Sequence, residues 1–388
     1  MDTCKEAPLR ELMADAIMLA ETKLVLNVPG WGGTEVIEQL SKNHANIQSH
    51  ICFNEEAAFG IASGASLYGE RSCLLIKAHG LLKSGNALTS TMSIGANGAF
   101  VIFVFDDVYG KSSDNILNTL PILHSLETPI FFLAENPFEQ IHNAFTKSEQ
   151  MKLPVIIYVN CEELNKNFSY KLLTLPKSKN QIKQMGFQNV AAPVVTTYQR
   201  SILLAKLKGM DFSAIPKPTI SNVGAILPEK LKLTYERYVP FFEVFKKLDK
   251  DFVSGDAGTS SLFAFPPYEC VQYTSFMGDS PSMAAGAILA GSSKAWSLTG
   301  DFSFLAAGIL GFNECVSLNI PLKLVIFKND FASATGGQVV SAALMQKFMV
   351  ANTEDIEEIP ISASPLQIAR SLNRVAKSVK REILIIHC

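Results

Sequence analysis

Short, wholly apolar runs alternate with helix-like segments along this chain, and they do so in two series. In the first, LVLNV (24–28) leads into the Gly-rich turn PGWGG (29–33) and the helix pattern TEVIEQLSKN. A helix from Glu55 to about Tyr68 follows, then CLLIKA (73–78), a helix through 85–96, and AFVIFVF (99–105). PIFFLA (129–134), the helix PFEQIHNAFTKSEQM and PVIIYV (154–159) complete the series. Runs that are apolar throughout, spaced by helices, predict parallel strands buried on both faces. The opening residues, MDTCKEAPLRELMADAI, read as an amphipathic helix.

The second series starts near 240. The helix VPFFEVFKKL leads to DFVSGD, a Gly/Ser-rich loop, the small-residue helix SMAAGAILAG, AWSLTGD and a helix at 303–318. LKLVIFKND, the helices AALMQKFMVA and LQIARSLNRVAK, and a last strand EILIIHC end it. Between about 171 and 240 Lys, Asn, Gln and Pro rise, as in LPKSKNQIKQ, with some helix expected around 198–209. The predicted architecture is therefore α/β, with two doubly wound parallel-sheet domains, 1–170 and 241–388, joined by a connector, 171–240. A length of 388 residues suits that division. Open sheets of this kind bind ligands beyond the carboxyl ends of their strands.

Composition excludes several classes. Apolar residues make up 48% and charged residues 18%, enough for two large cores. Lys and Arg (34) nearly balance Asp and Glu (36) and are scattered, so no basic face for a nucleic acid is expected. The seven cysteines, at 4, 52, 73, 161, 270, 315 and 388, form no CxxC, so neither a zinc ribbon nor an iron–sulfur cluster is encoded. An odd cysteine count without a secretory h-region points to a reducing cytoplasm, and no apolar segment is long enough to predict a membrane span.

Two polar pairs bracket the stretch at 299–330: Gly300-Asp301 and Asn329-Asp330. Asp301 ends one predicted strand and Asn329 the next, 28 residues on, about one βαβ unit. Neighbouring strand ends bring a carboxylate and an amide oxygen together, and hard oxygens of this kind suit Mg²⁺ bridging to phosphate. Gly300 lets the backbone approach a diphosphate. Helix capping by strand-end Asp and Asn is the plainer reading of the same residues.

This pattern resembles the Mg²⁺–diphosphate motif of thiamine diphosphate enzymes, with Phe302 in place of its second Gly and Lys328 in place of the first of its paired Asn. Residues 53–66, FNEEAAFGIASGAS, resemble the Asn-Glu pair and small-residue helix of the other domain in that family. An acidic first helical turn stabilised by the macrodipole is the plainer reading here. The resemblance makes Glu55, not Glu56, the catalytic residue that bonds the pyrimidine nitrogen, in a mostly apolar pocket. A closer likeness is to the large subunit of indolepyruvate ferredoxin oxidoreductase, over nearly the whole chain. It rests on NVPGWGGTEVIEQL, the Glu55 helix, FVFDDVYGKSSDN, VSGDAGTSSLFAFPP, FMGDSPSMAAG and FKNDFASATGGQ.

That likeness implies roles. Gly255-Asp256 begin the cofactor domain, Thr259-Ser260 lie near the diphosphate, and Met277-Gly278 hold the bent cofactor. Thr335-Gly336 belong to a phosphate loop that runs on to Gln338. Gly30, Gly300, Phe302 and Ser303 join the cofactor-binding set. Asp301, Asn329 and the Phe331 carbonyl are the implied metal ligands. His79, at a strand end in KAHGLLKSGN, is a candidate proton shuttle, although an ordinary hydrogen-bonded loop residue fits as well. Asp106-Asp107 either order the loop to Ser112-Ser113 or form a solvated strand end.

The departures bear on the reaction expected. The family's large subunit continues into a ferredoxin-like domain, whereas this sequence ends at ILIIHC. Thr259 stands where that family has Cys, and KLTYERYVPFF lacks the family's Cys. The cofactor's ylide attacks a 2-oxo acid, CO₂ leaves, and the resulting enamine is protonated, oxidised or joined to a second carbonyl. The leading expectation is a thiamine diphosphate- and Mg²⁺-dependent 2-oxo acid decarboxylase or carboligase, similar to the phosphonopyruvate and sulfopyruvate decarboxylases and working as a homodimer. The alternatives are an oxidoreductase subunit using clusters of an electron-transfer partner, and a non-catalytic protein that kept the fold.

Overall fold

The computed structural model describes residues 4–44, 46–177 and 186–388. They fall into two compact units, Met1–Lys183 with Leu203–Phe212, and Gln184–Ile202 with Ser213–Cys388.

In the first unit β1 (Cys4–Pro8) precedes β2 (Leu24–Asn27), β3 (Gln48–Ile51), β4 (Ser72–Lys77), β5 (Phe100–Asp106), β6 (Ile130–Phe132), β7 (Val155–Asn160) and β8 (Asn167–Lys171). Six of these make one parallel sheet in the order β3-β2-β4-β5-β7-β6. The central strand β5, FVIFVFD, is buried at every position, as a strand covered on both faces must be. The edge strand β3, QSHI, is polar and only half buried, which discourages pairing with a stray strand. One face of the sheet is covered by helices Leu9–Leu19, Gly33–Asn43 and Pro137–Met151, whose Leu12, Ile17, Val36, Leu40, Ile141 and Phe145 share a core with Val101, Phe103 and Ile157.

The opening helix begins later than its sequence pattern suggests. Residues 4–8 form β1, paired antiparallel with β8. Asp15 locks this addition down. Its buried carboxylate accepts from Lys5 Nζ (2.7 Å) and the Tyr170 hydroxyl (2.6 Å), and lies 2.8 Å from His44 Nε2.

The second unit holds β9 (Phe252–Gly255), β10 (Tyr273–Thr274), β11 (Ala295–Gly300), β12 (Lys323–Lys328), β13 (Ile356–Pro360) and β14 (Glu382–His387). They form a parallel sheet in the order β10-β9-β11-β12-β14-β13. Numbered within its own unit, each sheet runs 2-1-3-4-6-5. In both, the chain steps one way from the first strand to the second and then to the opposite side for the third. That reversal opens a crevice at the carboxyl ends of β2 and β4 in one unit, and of β9 and β11 in the other.

An aromatic core sets helix Glu229–Phe245 against the second sheet. Phe242 stacks on Phe263 (3.6 Å between centroids), Tyr238 stacks on Phe327 (4.4 Å), and Phe245 meets Trp296 edge-on (5.5 Å). The helix pattern read from Val239 is thus the last part of a longer helix that continues through Pro240. Packing offsets the ring's usual cost at an interior position. Helix Ser280–Ala290 is buried along most of its length, and its small residues let helix Ile309–Ser317 approach so closely that a Cβ at Gly311 would overlap Ser282. Among the described residues no helix is long and apolar enough to cross a membrane.

Candidate functional site

The carboxyl ends of β9, β11 and β12 enclose a cavity of about 600 Å³, counting its open mouth. Asp256 follows β9, Gly300-Asp301 close β11, and Asn329 follows β12. Parallel pairing puts Gly300 opposite Phe327, so Asp301 and Asn329 emerge on adjoining strands. Both are buried, at 1% and 8% exposure.

Asp301 is held by backbone amides. Phe302 N donates to Oδ1 (2.8 Å) and Asp330 N to Oδ2 (2.7 Å). Burial pushes its pKa up, and these N–H bonds oppose the shift. The Asn329 carboxamide accepts from Phe331 N (3.3 Å) and donates to Ser333 Oγ (2.7 Å). Phe302, at the position where the resemblance implies a Gly, supplies the donor to Asp301 Oδ1 from its backbone N–H. Lys328 turns to Asp330 (2.6 Å) and leaves Asn329 undisturbed.

Beneath the cavity Asp256 is fully buried. It accepts from Ser280 N (2.9 Å) and the Thr299 hydroxyl, and a Gly278 N–H bond also reaches it. Burial raises its pKa to about 7 against these donors. A folded pKa above the unfolded value of 3.8 means the folded chain holds a proton that the unfolded chain releases. The stability from this group is therefore complete below pH 4 and is lost as pH rises to about 7. Urea unfolding is expected to show the wild type less stable at pH 8 than at pH 5, by on the order of a few kcal/mol from this group. Asp256→Asn should flatten that difference; an unchanged slope would remove Asp256 as its source.

Of the residues singled out by sequence, Asp256, Thr259, Ser260, Met277, Gly300, Asp301, Phe302, Ser303, Asn329, Phe331 and Thr335 line this one cavity. Gly255, Gly278 and Gly336 do not. Gly255 is tightly packed, with Val271 3.0 Å from where a Cβ would stand. Gly278 has φ +88°, and a Cβ there would meet the Gly308 nitrogen at 2.6 Å, so it fixes the turn that carries Met277. Gly336 lies in the 331–339 loop, where its N–H and the Thr335 hydroxyl bond Gln338 Oε1 (3.0 and 2.9 Å). Tyr238 lines the cavity too, and sequence reasoning missed it. Its hydroxyl lies 3.5 Å from Asn329 Nδ2 across 91 residues of chain. Only the TYERY pattern hinted at it, as an aromatic in a helix.

The cavity fits the diphosphate and cation that the resemblance implies. A Cβ at Gly300 or Gly258 would meet nothing within 4 Å, so both leave bare backbone facing open space. Thr259, Ser260 and Ser303 line the same cavity. The donor set of carboxylate, amide oxygen and carbonyl is the hard-oxygen type that Mg²⁺ takes.

The remaining candidates belong to the first unit. Glu55 opens helix Glu55–Leu67, whose Asn54 N-cap accepts from Ala57 N (3.0 Å). Its carboxylate meets Lys83 Nζ at 2.7 Å, a charged contact in place of the apolar surround expected from sequence. Gly80 makes room for it, since a Cβ there would stand 2.8 Å from Glu55 Cγ. Glu56 is the acid that burial pushes up in pKa, against an Asn86 hydrogen bond and the Lys83 charge. His79 follows β4 and its Nε2 lies 2.8 Å from Asn115 Oδ1. Gly30, in the turn after β2, packs so closely on Lys77 that a Cβ would stand 2.7 Å from that side chain. Asp107 orders the nearby loop, accepting from Lys111 N, Ser112 N and Ser113 Oγ, while Asp106 accepts from Tyr158.

Comparison with known proteins agrees with this geometry. Residues 256–383 match the thiamine pyrophosphate enzyme, C-terminal TPP binding domain. A curated relative, "Indolepyruvate oxidoreductase subunit IorA" of Archaeoglobus fulgidus, is 33% identical over 194 residues. That match covers 47% of this chain and 31% of the relative, so the chain spans about a third of the relative's length. Two six-stranded parallel sheets, an oxygen-lined cavity at the carboxyl ends of the second, and these matches make the chain similar to thiamine diphosphate-dependent 2-oxo acid enzymes of the indolepyruvate oxidoreductase kind.

Proposed function

We propose that this protein is a thiamine diphosphate- and Mg²⁺-dependent decarboxylase or carboligase acting on a small 2-oxo acid. The observation that carries the reading is the convergence of Asp301, Asn329 and Phe331 on one cavity whose backbone is bare at Gly258 and Gly300. When bound, thiamine diphosphate supplies a carbon nucleophile and an electron sink for loss of CO₂.

The chain's own residues do the rest. Asp301 Oδ, Asn329 Oδ1 and the Phe331 carbonyl hold the cation. Hydroxyls of Thr259, Ser260 and Ser303 would donate to phosphate oxygens, and Gly300 would let the backbone come close. Met277, 39% exposed on its turn, gives the cofactor an apolar support. Glu55 relays a proton through its carboxylate, and His79 delivers one to the product through the ring nitrogen that Asn115 leaves unengaged.

Protonation or carboligation is the outcome proposed. Cys52, Cys73, Cys161, Cys270 and Cys315 are buried, and burial pushes the thiols of Cys161, Cys270 and Cys315 up to about 12. These are packing residues of separate elements, not ligands of a shared cluster. The relative's name favours a second reading, an oxidoreductase subunit that passes electrons to a partner chain. The test is CO₂ release from a panel of 2-oxo acids, with and without a viologen acceptor. Release that does not need the acceptor is the expected result; turnover only in its presence moves the assignment to oxidoreductase.

The protein is further proposed to act as a homodimer. Ile51, Phe53, Leu82, Tyr109 and Ile116 expose 45–73% of their surface after the carboxyl ends of β3, β4 and β5, an apolar rim that a second copy would cover.

A further inference from the structure

We infer that Ser333 and Tyr238 are positioning residues that hold the Asn329 carboxamide in the orientation the Phe331 N–H selects, with its oxygen free to face the cation, an inference that rests on the metal-site reading above. A carboxamide offers a hard cation one useful atom, its oxygen, and a 180° flip would present the NH₂ group instead. The partners decide between the two. Phe331 N–H can only donate, so at 3.3 Å it selects Oδ1. A flipped amide would set two donors against each other in a site where Asn329 is 8% exposed. Hydroxyls take either role. With Oδ1 fixed, Ser333 Oγ at 2.7 Å and the Tyr238 hydroxyl at 3.5 Å accept from Nδ2.

Tyr238 comes from a distant helix and arrives by packing. Its ring stacks on Phe327 (4.4 Å, 17° between planes), two residues before Asn329 on the same strand. The hydroxyl is therefore held by the strand whose end it serves, and the residue is only 2% exposed. Asp301 is held in the same manner, by backbone N–H groups that reach both oxygens. Carboxylate and amide are thus both oriented by the protein before any cation arrives, which lowers the ordering cost of binding.

The test measures binding, not turnover. Mn²⁺ is titrated into the full chain with saturating thiamine diphosphate, and free Mn²⁺ is read by electron paramagnetic resonance. Loss of a supporting partner typically costs about 10- to 100-fold in metal affinity. Ser333→Ala is expected to lose about 10-fold, Ser333→Thr to recover most of it, and Tyr238→Phe, which keeps the stacked ring, to lose less than Ser333→Ala. Thermal unfolding without Mn²⁺ should stay near wild type in Ser333→Ala and Tyr238→Phe, because the aromatic packing is intact. Wild-type affinity in both variants overturns the inference alone. So does a loss that Ser333→Thr fails to restore, or one matched by a fall in Tm without metal. A wild type that holds no Mn²⁺ overturns the metal-site reading and the inference with it.

Discussion

Glu55→Gln is expected to slow exchange of the C2 proton of bound thiamine diphosphate by about 10²- to 10⁴-fold, the usual cost of removing one general acid or base. The variant keeps the size of the side chain and the helix start, because the cap comes from Asn54 and not from Glu55. It also keeps the fit against Gly80. What it removes is a carboxylate able to relay a proton. The ion pair with Lys83 does not stand in the way: the lysine side chain is 53% exposed, and exposed pairs contribute about 0–1 kcal/mol. Cofactor binding can exchange it at little cost.

Glu56→Gln is the control. That residue points about 100° further round the helix, has its pKa raised by burial, and bonds Asn86. Its replacement should leave exchange within a few-fold of wild type. Hydrogen–deuterium exchange followed by NMR separates the outcomes. A dead Glu56→Gln shifts the catalytic register by one residue, and two unaffected variants remove the proton-relay role from this helix.

Asp301→Ala should weaken Mg²⁺ and thiamine diphosphate binding together, by more than the roughly 10- to 100-fold expected for a supporting partner. Asp301 does two things at once. It offers a buried carboxylate to the cavity, and it ties the ends of β11 and β12 together by accepting from Phe302 N and Asp330 N. Asp301→Asn separates these roles. It keeps one oxygen acceptor but loses the charge and sets its NH₂ against one of the two backbone donors, so it should fold with a loss of about 1–3 kcal/mol while cation affinity falls steeply. Calorimetric titration of thiamine diphosphate with and without Mg²⁺, with circular dichroism as the check on folding, measures both. Equal thiamine diphosphate affinity in the presence and absence of a divalent cation would sink the metal assignment.

Much of the fold is legible along the chain because its signals are local. AFVIFVF reads as a buried strand from its own residues, and AALMQKFMVA as a helix from its own periodicity; β5 and the helix Ala342–Ala351 lie where those patterns put them. Helix Glu229–Phe245 shows where local reading stops. Pro240 looks like a helix start, yet contacts of Tyr238, Phe241 and Phe242 with Phe263 and Phe327 carry the helix through it. The strand Cys4–Pro8 was similarly hidden, because its partner lies some 160 residues away and its pairing is worth nothing until β8 is in place.

The candidate site divides along the same line. Glycines with bare or left-handed backbone, and hard-oxygen side chains at strand ends, carry their chemistry in the sequence, so Gly300, Asp301 and Asn329 announced themselves. Three matters were left to the tertiary structure. One is the shared 2-1-3-4-6-5 strand order, which turns successive strand ends into a crevice. Another is the Lys83 contact that gives Glu55 a charged neighbour. The last is the arrival of Tyr238 beside Asn329. A sequence specifies which residues can bury, bend or ligate, since those are properties of single residues and short windows. Which of them meet depends on packing between segments tens of residues apart, and that is settled only when the whole sheet closes.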